Sequence, residues 1–237
     1  MQYLVLLIAS FLAAAISGSA GFGGALLLLP LLVSTVGVTQ AVPLLTVAQL
    51  IGNISRAAFG FHEIRWKPVA FFLAAAIPLS ALGAFSFVRL PRELVVRCIG
   101  VTILLFVVLK YMGVLTLKPS KGLLIAGGGA VGFLSGLVGS AGPLGAAVFL
   151  VLALPPVSYI ASEATTALVM HGVKMLVYRQ FIFLDRTFWL LAVSIGGAMV
   201  LGTWSAKRVI ELIPRDKFQQ YVSILLAAIA LYMAIHG

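Results

Sequence analysis

Two stretches of the chain have the residue types and spacing of an anion site. Gly18-Ser19-Ala20-Gly21 and Gly139-Ser140-Ala141-Gly142 each interrupt an apolar run, and each is followed three residues later by a further glycine, Gly24 and Gly145. Ser19 and Ser140 stand where a helix N-cap is expected, and Pro143 suits a first helical turn. The glycines, Gly21 and Gly142 among them, let backbone approach a bound group. A helix start carries unpaired N–H groups and the positive end of the helix dipole, which favour a small anion. The competing reading is that these glycines only let membrane helices pack closely.

Side chains beyond the glycine breaks point the same way. Thr46, Gln49, Asn53 and Arg56 are spaced three, four and three residues apart, which puts them within about 80° of one helical face. Glu163, Thr166, Met170 and Lys174 share a second face by the same arithmetic, with His171 beside them. Polar stripes on otherwise apolar helices are expected to face a cavity or other helices rather than lipid. For Arg56 and Lys174 the alternative is snorkelling to a nearby helix end, and His171 is equally readable as a packed, hydrogen-bonded residue. The other five acidic residues lie near segment borders with basic neighbours, which leaves Glu163 as the candidate for proton coupling or, alternatively, as a carboxylate hydrogen-bonded near the interface. It lies about 16 Å along the helix from Lys174, too far to pair with it.

These residues are embedded in a chain that no soluble domain would tolerate. Of 237 residues 62% are apolar and 9% charged, against roughly a quarter charged in soluble domains. The apolar residues fall into ten runs separated by short polar or basic joints. The runs are Tyr3 to Ile16, Gly24 to Val36, Val42 to Phe61, Pro68 to Val88, Leu94 to Leu115, Gly122 to Val138, Leu144 to Leu154, Val157 to Tyr178, Phe188 to Ala206 and Phe218 to Ile235. Most approach the ~20 residues that a helix needs to cross ~30 Å of hydrocarbon. The first, second and seventh are shorter and read as half-helices or tilted pieces. Runs such as Val101 to Leu109 are apolar all round, without the period-two alternation of a membrane barrel. The expected fold is therefore an all-α integral membrane bundle.

The formal charge of +10, from 16 Lys and Arg against 6 Asp and Glu, sits in the joints, where it meets headgroups and sets topology. Nothing resembles a nucleic-acid patch. Cys98 is alone, and no His or Cys cluster suggests a metal or other cofactor. The N-terminal run lacks a basic start and is read as retained rather than cleaved.

An internal repeat organises the chain. The Gly-Ser-Ala-Gly copies are 121 residues apart, and Leu90-Pro91-Arg92-Glu93 recurs 123 residues later as Ile213-Pro214-Arg215-Asp216. The halves are 1–118 and 119–237, with five segments each. An odd number of crossings per half inverts the second copy relative to the first, the plan of many secondary transporters. With every segment crossing, or with each glycine-linked pair re-entrant, about ten Lys and Arg lie on one side and about six on the other, whereas one broken crossing per pair gives about nine to seven, so the odd count fits the positive-inside rule better. Both termini then lie outside the cytoplasm. Trp66, Trp189 and Trp204 fall at segment ends, as interfacial anchors do.

Catalysis fits poorly. Gly-Ser-Ala-Gly does not follow the Gly-x-Ser-Gly order of a rhomboid-type serine, it occurs twice, and the only histidines, His62, His171 and His236, are unduplicated. A non-transporting assembly or anchoring subunit is the remaining alternative.

The glycine motif from Gly18 to Gly24 with Pro30, its second copy from Gly139 to Gly145, and the Leu-Pro-Arg joints resemble the TauE/SafE family of sulfite and organosulfonate exporters over essentially the whole chain. The resemblance implies a bacterial inner-membrane permease of two related halves that moves sulfite, sulfoacetate or similar small anions. By carry-over, Ser19, Gly21, Ser140 and Gly142 contact the anion. Pro143 and Leu144 depart from Phe22 and Gly23 of the first copy, so the site is not expected to be strictly symmetric. The expected partners are the anion and membrane lipid, with a second copy of the chain left open. Gln49, Asn53, Arg56, Thr166, His171 and Lys174 complete the expected binding set, and the expected mechanism is alternating access around it.

Overall fold

The computed structural model describes residues 2–20, 25–87, 118–180 and 185–214, with isolated positions between 216 and 231. Gly21 to Gly24, the Leu90-Pro91-Arg92-Glu93 joint, Cys98, Arg215, His236, the whole fifth segment and most of the tenth lie outside the described residues.

The described residues form helices and no strands: α1 (Gln2–Ala20), α2 (Ala25–Val36), α3 (Val38–Phe59), α4 (Trp66–Ser86), α5 (Lys121–Val138), α6 (Gly142–Leu150), α7 (Pro156–Tyr178) and α8 (Arg186–Leu212). They coincide with eight of the apolar runs. Three stretches, Gln40–Phe59, Trp66–Ser86 and Arg186–Lys207, are long and apolar enough to cross a membrane. Large apolar side chains such as Leu4, Ile8 and Leu12 of α1 and Leu190, Val193 and Leu201 of α8 are exposed, as a lipid-facing surface requires. The chain is a membrane protein.

The run beginning at Tyr3 was expected to be short, but α1 has 19 residues, about 28 Å, because the helix continues through Gly18-Ser19-Ala20. Ser19 thus lies in the last turn of α1 and not in a break ahead of α2, so it does not take the N-cap place expected of it. α2 and α6, with 12 and 9 residues, are too short to cross alone.

Contacts fix the relative directions of three helix pairs. Added Cβ atoms at Gly128, Gly132 and Gly136 of α5 would meet the backbone of Phe72, Ala76 and Ser80 of α4. Both series rise in steps of four, so α4 and α5 run parallel with backbone against backbone, as small residues at four-residue spacing permit. α6 doubles back along α5: positions facing Gly127 and Gly145 are held by Val148 and Val131 respectively. The turn between them is made by Gly139, whose φ of 88° places it in the left-handed region as the C-cap of α5. α3 and α7 run antiparallel. Gly60 lies on Val157 and Ala161, Arg56 on Glu163, and Val42 clusters with Val177 and Tyr178. α1 packs along α8, and α8 and α4 flank α3 and α7.

The turn after α3 is fastened to α7 by two serines one helical turn apart. Ser158 Oγ donates to the Glu63 carbonyl at 2.6 Å and accepts from Arg65 Nε at 3.2 Å, while Ser162 Oγ accepts from the Arg65 amide at 2.9 Å. This clamp holds the C-terminal end of α3 against the N-terminal half of α7, where the polar stripes meet.

Candidate functional site

The two stripes face each other across a small cavity of about 10 Å³, room for roughly one water. α3 contributes Gln49, Asn53 and Arg56, α7 contributes Glu163, Ala167, Met170 and His171, and the α5–α6 turn contributes Ser140, Ala141 and Gly142, with Val131 and Ser135 of α5 closing the side. All of the polar members are buried. Residues separated by more than 100 positions in the chain are thus brought together because α3 and α7 cross antiparallel at the level of their stripes.

The electrostatics centre on one loose ion pair. Arg56 Nη1 lies 3.6 Å from Glu163 Oε2, longer than the ~2.7–2.9 Å of a charge-assisted hydrogen bond. At an effective dielectric of about 20 the attraction is roughly 4–5 kcal/mol, set against the cost of taking both ions out of water. Arg56 Nη2 also donates to Asn53 Oδ1, which orients that amide and leaves Asn53 Nδ2 a donor without a hydrogen-bond partner. Arg56 Nη1, Glu163 Oε2 and His171 Nδ1 likewise have no hydrogen-bond partner. Four such atoms around one cavity are out of keeping with the general satisfaction of buried polar groups.

Lys174 is fully buried and has its own partners. Its ammonium donates to the Gly139 carbonyl at 2.6 Å, to Ser135 Oγ at 3.0 Å and to the Ser135 carbonyl at 3.4 Å. One turn on, Tyr178 donates to the Gly136 carbonyl at 2.8 Å. The two side chains bond the Gly136 and Gly139 carbonyls at the end of α5, and the positive charge complements the negative end of the helix dipole. Neither Arg56 nor Lys174 snorkels. Of the residues lining the cavity, Arg56 and Glu163 carry charge, one of each sign.

The expected residues divide accordingly. Gln49, Asn53, Arg56, Ser140, Gly142, Glu163 and His171 meet at the cavity. Thr166 is buried but turned to its own helix, its hydroxyl donating to the Glu163 carbonyl at 2.8 Å, as hydroxyls in apolar helices commonly do. Lys174 lies behind the α5–α6 turn. Ser140 is buried beside the cavity, but the N-cap of α6 is Ala141, with no side-chain cap bond, and Pro143 follows in the first turn. The left-handed Gly139 shifts the helix start by one residue relative to the N-cap reading. Gly21 and the Ser19 side chain lie outside the described part. Ser135 was missed by the sequence reading; its only signal was a hydroxyl in an otherwise apolar, glycine-rich run four residues before the break. Among the described residues no group of three or more His, Cys, Asp or Glu could hold a metal ion.

No curated protein and no solved structure matches the chain significantly. The family model described as "Sulfite exporter TauE/SafE" matches residues 6–233, a span that contains every helix bordering the cavity. The chain, with its buried polar cavity between apolar helices, belongs to the TauE/SafE family of membrane sulfite exporters.

Proposed function

We propose that the protein exports small anions, sulfite or an organosulfonate, across a bacterial inner membrane by alternating access around the cavity between α3 and α7. The observation that carries this reading is the convergence of Arg56, Asn53 Nδ2 and the start of α6 on one buried space. Donors of this kind replace part of an anion's hydration shell. A space that holds about one water is too small for sulfite, so the described state is closed on the site, and α3, α6 and α7 separate to admit the anion.

Helix directions support the inverted repeat. Numbering the ten apolar runs in order, the fourth and sixth run parallel, the sixth and seventh antiparallel, and the third and eighth antiparallel. Those are the directions expected when successive runs alternate in direction, whether the short ones cross or re-enter. The third and eighth are also repeat equivalents, and equivalents of opposite direction are what inversion requires. The packing partners agree: exchanging halves turns the pair α1 and α8 into α5 and α4, and the pair α2 and α3 into α6 and α7, all of which are in contact.

The experiment is the melting temperature of purified protein in detergent against sulfite, sulfoacetate, thiosulfate, sulfate, lactate and chloride at matched ionic strength. A rise with one or two of these anions, abolished by Asn53→Ala plus Ser140→Ala, is the expected result. Equal behaviour with every anion, or a rise unaffected by the double substitution, would refute the site.

A further inference from the structure

The carboxylate of Glu163 occupies the positions that an incoming anion would take. On one side it faces Arg56 Nη1. On the other, a methyl added at Gly145 in the first turn of α6 would stand 3.4 Å from Glu163 Oε1, so the carboxylate rests against the end of that helix that attracts negative charge. Both anion-attracting features of the cavity therefore already have an anion, supplied by the protein. Its fit is imperfect: Arg56 Nη1 and Glu163 Oε2 are paired but too far apart to hydrogen-bond, and Asn53 Nδ2 and His171 Nδ1, buried at the same cavity, have no partner.

We propose that Glu163 is a resident counterion that substrate replaces on Arg56, so that anion binding carries one proton from solution onto the Glu163 carboxylate. This rests on the anion-transport reading. Two negative groups within a few ångströms of one guanidinium, away from water, repel strongly, and protonating the carboxylate removes the repulsion while leaving Arg56 free to bind the substrate. The charged and titratable groups that face Glu163 are Arg56 from α3, Tyr159 from its own helix and, at the same cavity, His171. α5 and α6 contribute Ser135, Ser140 and apolar groups to the cavity, none of which titrates near neutral pH. Lys174 is engaged with Ser135 and Gly139, and Tyr159 Oη donates to the Ala146 carbonyl at 3.3 Å. His171 is the rival site for the proton. The proton and the anion enter together, so the occupied site carries one negative charge fewer than the anion alone.

The sign of the linkage follows. Where Glu163 is ionised before binding, the complex holds one more proton than the free protein, so anion affinity falls as pH rises, by up to about tenfold per pH unit. The probe must not titrate itself, which excludes sulfite and favours methanesulfonate and sulfate.

The test adds saturating methanesulfonate or sulfate to full-length protein in weakly buffered detergent solution, records the pH change, and measures the dissociation constant from pH 5 to 9 for wild type, Glu163→Gln and His171→Gln. Uptake approaching one proton per bound anion in wild type and His171→Gln, with pH-independent binding and no uptake in Glu163→Gln, is expected. Binding to wild type without proton uptake and with a constant affinity overturns the counterion while leaving the anion site standing. Uptake that persists in Glu163→Gln but is lost in His171→Gln assigns the proton to the histidine and overturns it equally. Absence of binding by wild type at every pH overturns the transport reading on which the inference rests. The wild-type measurement decides the linkage even where a variant fails to fold.

Discussion

Replacing Lys174 by methionine separates two roles that its position allows, fastening the end of α5 or meeting the anion. Met has nearly the length and volume of the lysine stem, so the substitution removes the ammonium and little packing. The Gly139 carbonyl then loses its 2.6 Å donor in a buried place, at about 1–3 kcal/mol. The charged bond to Ser135 Oγ goes as well, although that hydroxyl can turn to a carbonyl of its own helix. Relief from burying an ammonium offsets part of the loss, and a net destabilisation of roughly 2–4 kcal/mol remains. At about 2–4 °C per kcal/mol for a chain of this size, the melting temperature in detergent should fall by roughly 5–15 °C. Leu176→Met on the exposed side of the same helix should change it by about a degree or less. Anion-dependent stabilisation should survive in Lys174→Met at temperatures where the protein is folded. A variant that melts like wild type yet no longer responds to any anion would refute the fastening role and give the ammonium to the substrate.

Further outcomes follow from the same geometry. Arg56→Gln strands the Glu163 carboxylate and should cost about 3–5 kcal/mol. Adding Glu163→Gln should recover part of it, a coupling that a double-mutant cycle of melting temperatures measures and whose absence would deny the pair. Gly132→Leu forces α4 from α5 and should abolish the folded monodisperse peak in size-exclusion chromatography, whereas Gly122→Ala, with no atom within 4 Å of the added carbon, should be neutral or stabilising by up to about 1 kcal/mol. Ser158→Ala plus Ser162→Ala frees the Arg65 turn from α7 and should raise amide hydrogen exchange locally from Gly60 to Arg65, without the drop in melting temperature predicted for Lys174→Met.

Hydrophobic runs located the described helices because a bilayer leaves the backbone few other choices, and three-and-four spacing placed Gln49, Asn53 and Arg56 on the face that meets Glu163. What that spacing does not contain is the partner across the bundle. Glu163 was weighed only against Lys174 on its own helix, while its actual partner, Arg56, is 107 positions earlier in the chain. The role of Lys174 was hidden for the same reason: the carbonyls it satisfies belong to α5, and nothing local to residue 174 announces them. The α6 start was misplaced by one residue because a left-handed glycine and a following proline can open a helix without a side-chain cap, whereas the serine beside them suggested one.

The seam between α4 and α5 bears on how such a chain could have arisen. On the two-half reading, α4 belongs to one half and α5 to the other, and the same is true of α1 and α8, so each half grips its counterpart as two clasped hands do. A half-length ancestor would have had no neighbour of its own for the bare glycine face of α5 and could have folded only as an obligate pair of identical chains. On that reading the present protein corresponds to such a pair fused head to tail. Residues 1–118 and 119–237 made as separate chains should accordingly yield a stable complex when produced together and nothing soluble in mild detergent when produced apart; a stable solitary half would break the analogy.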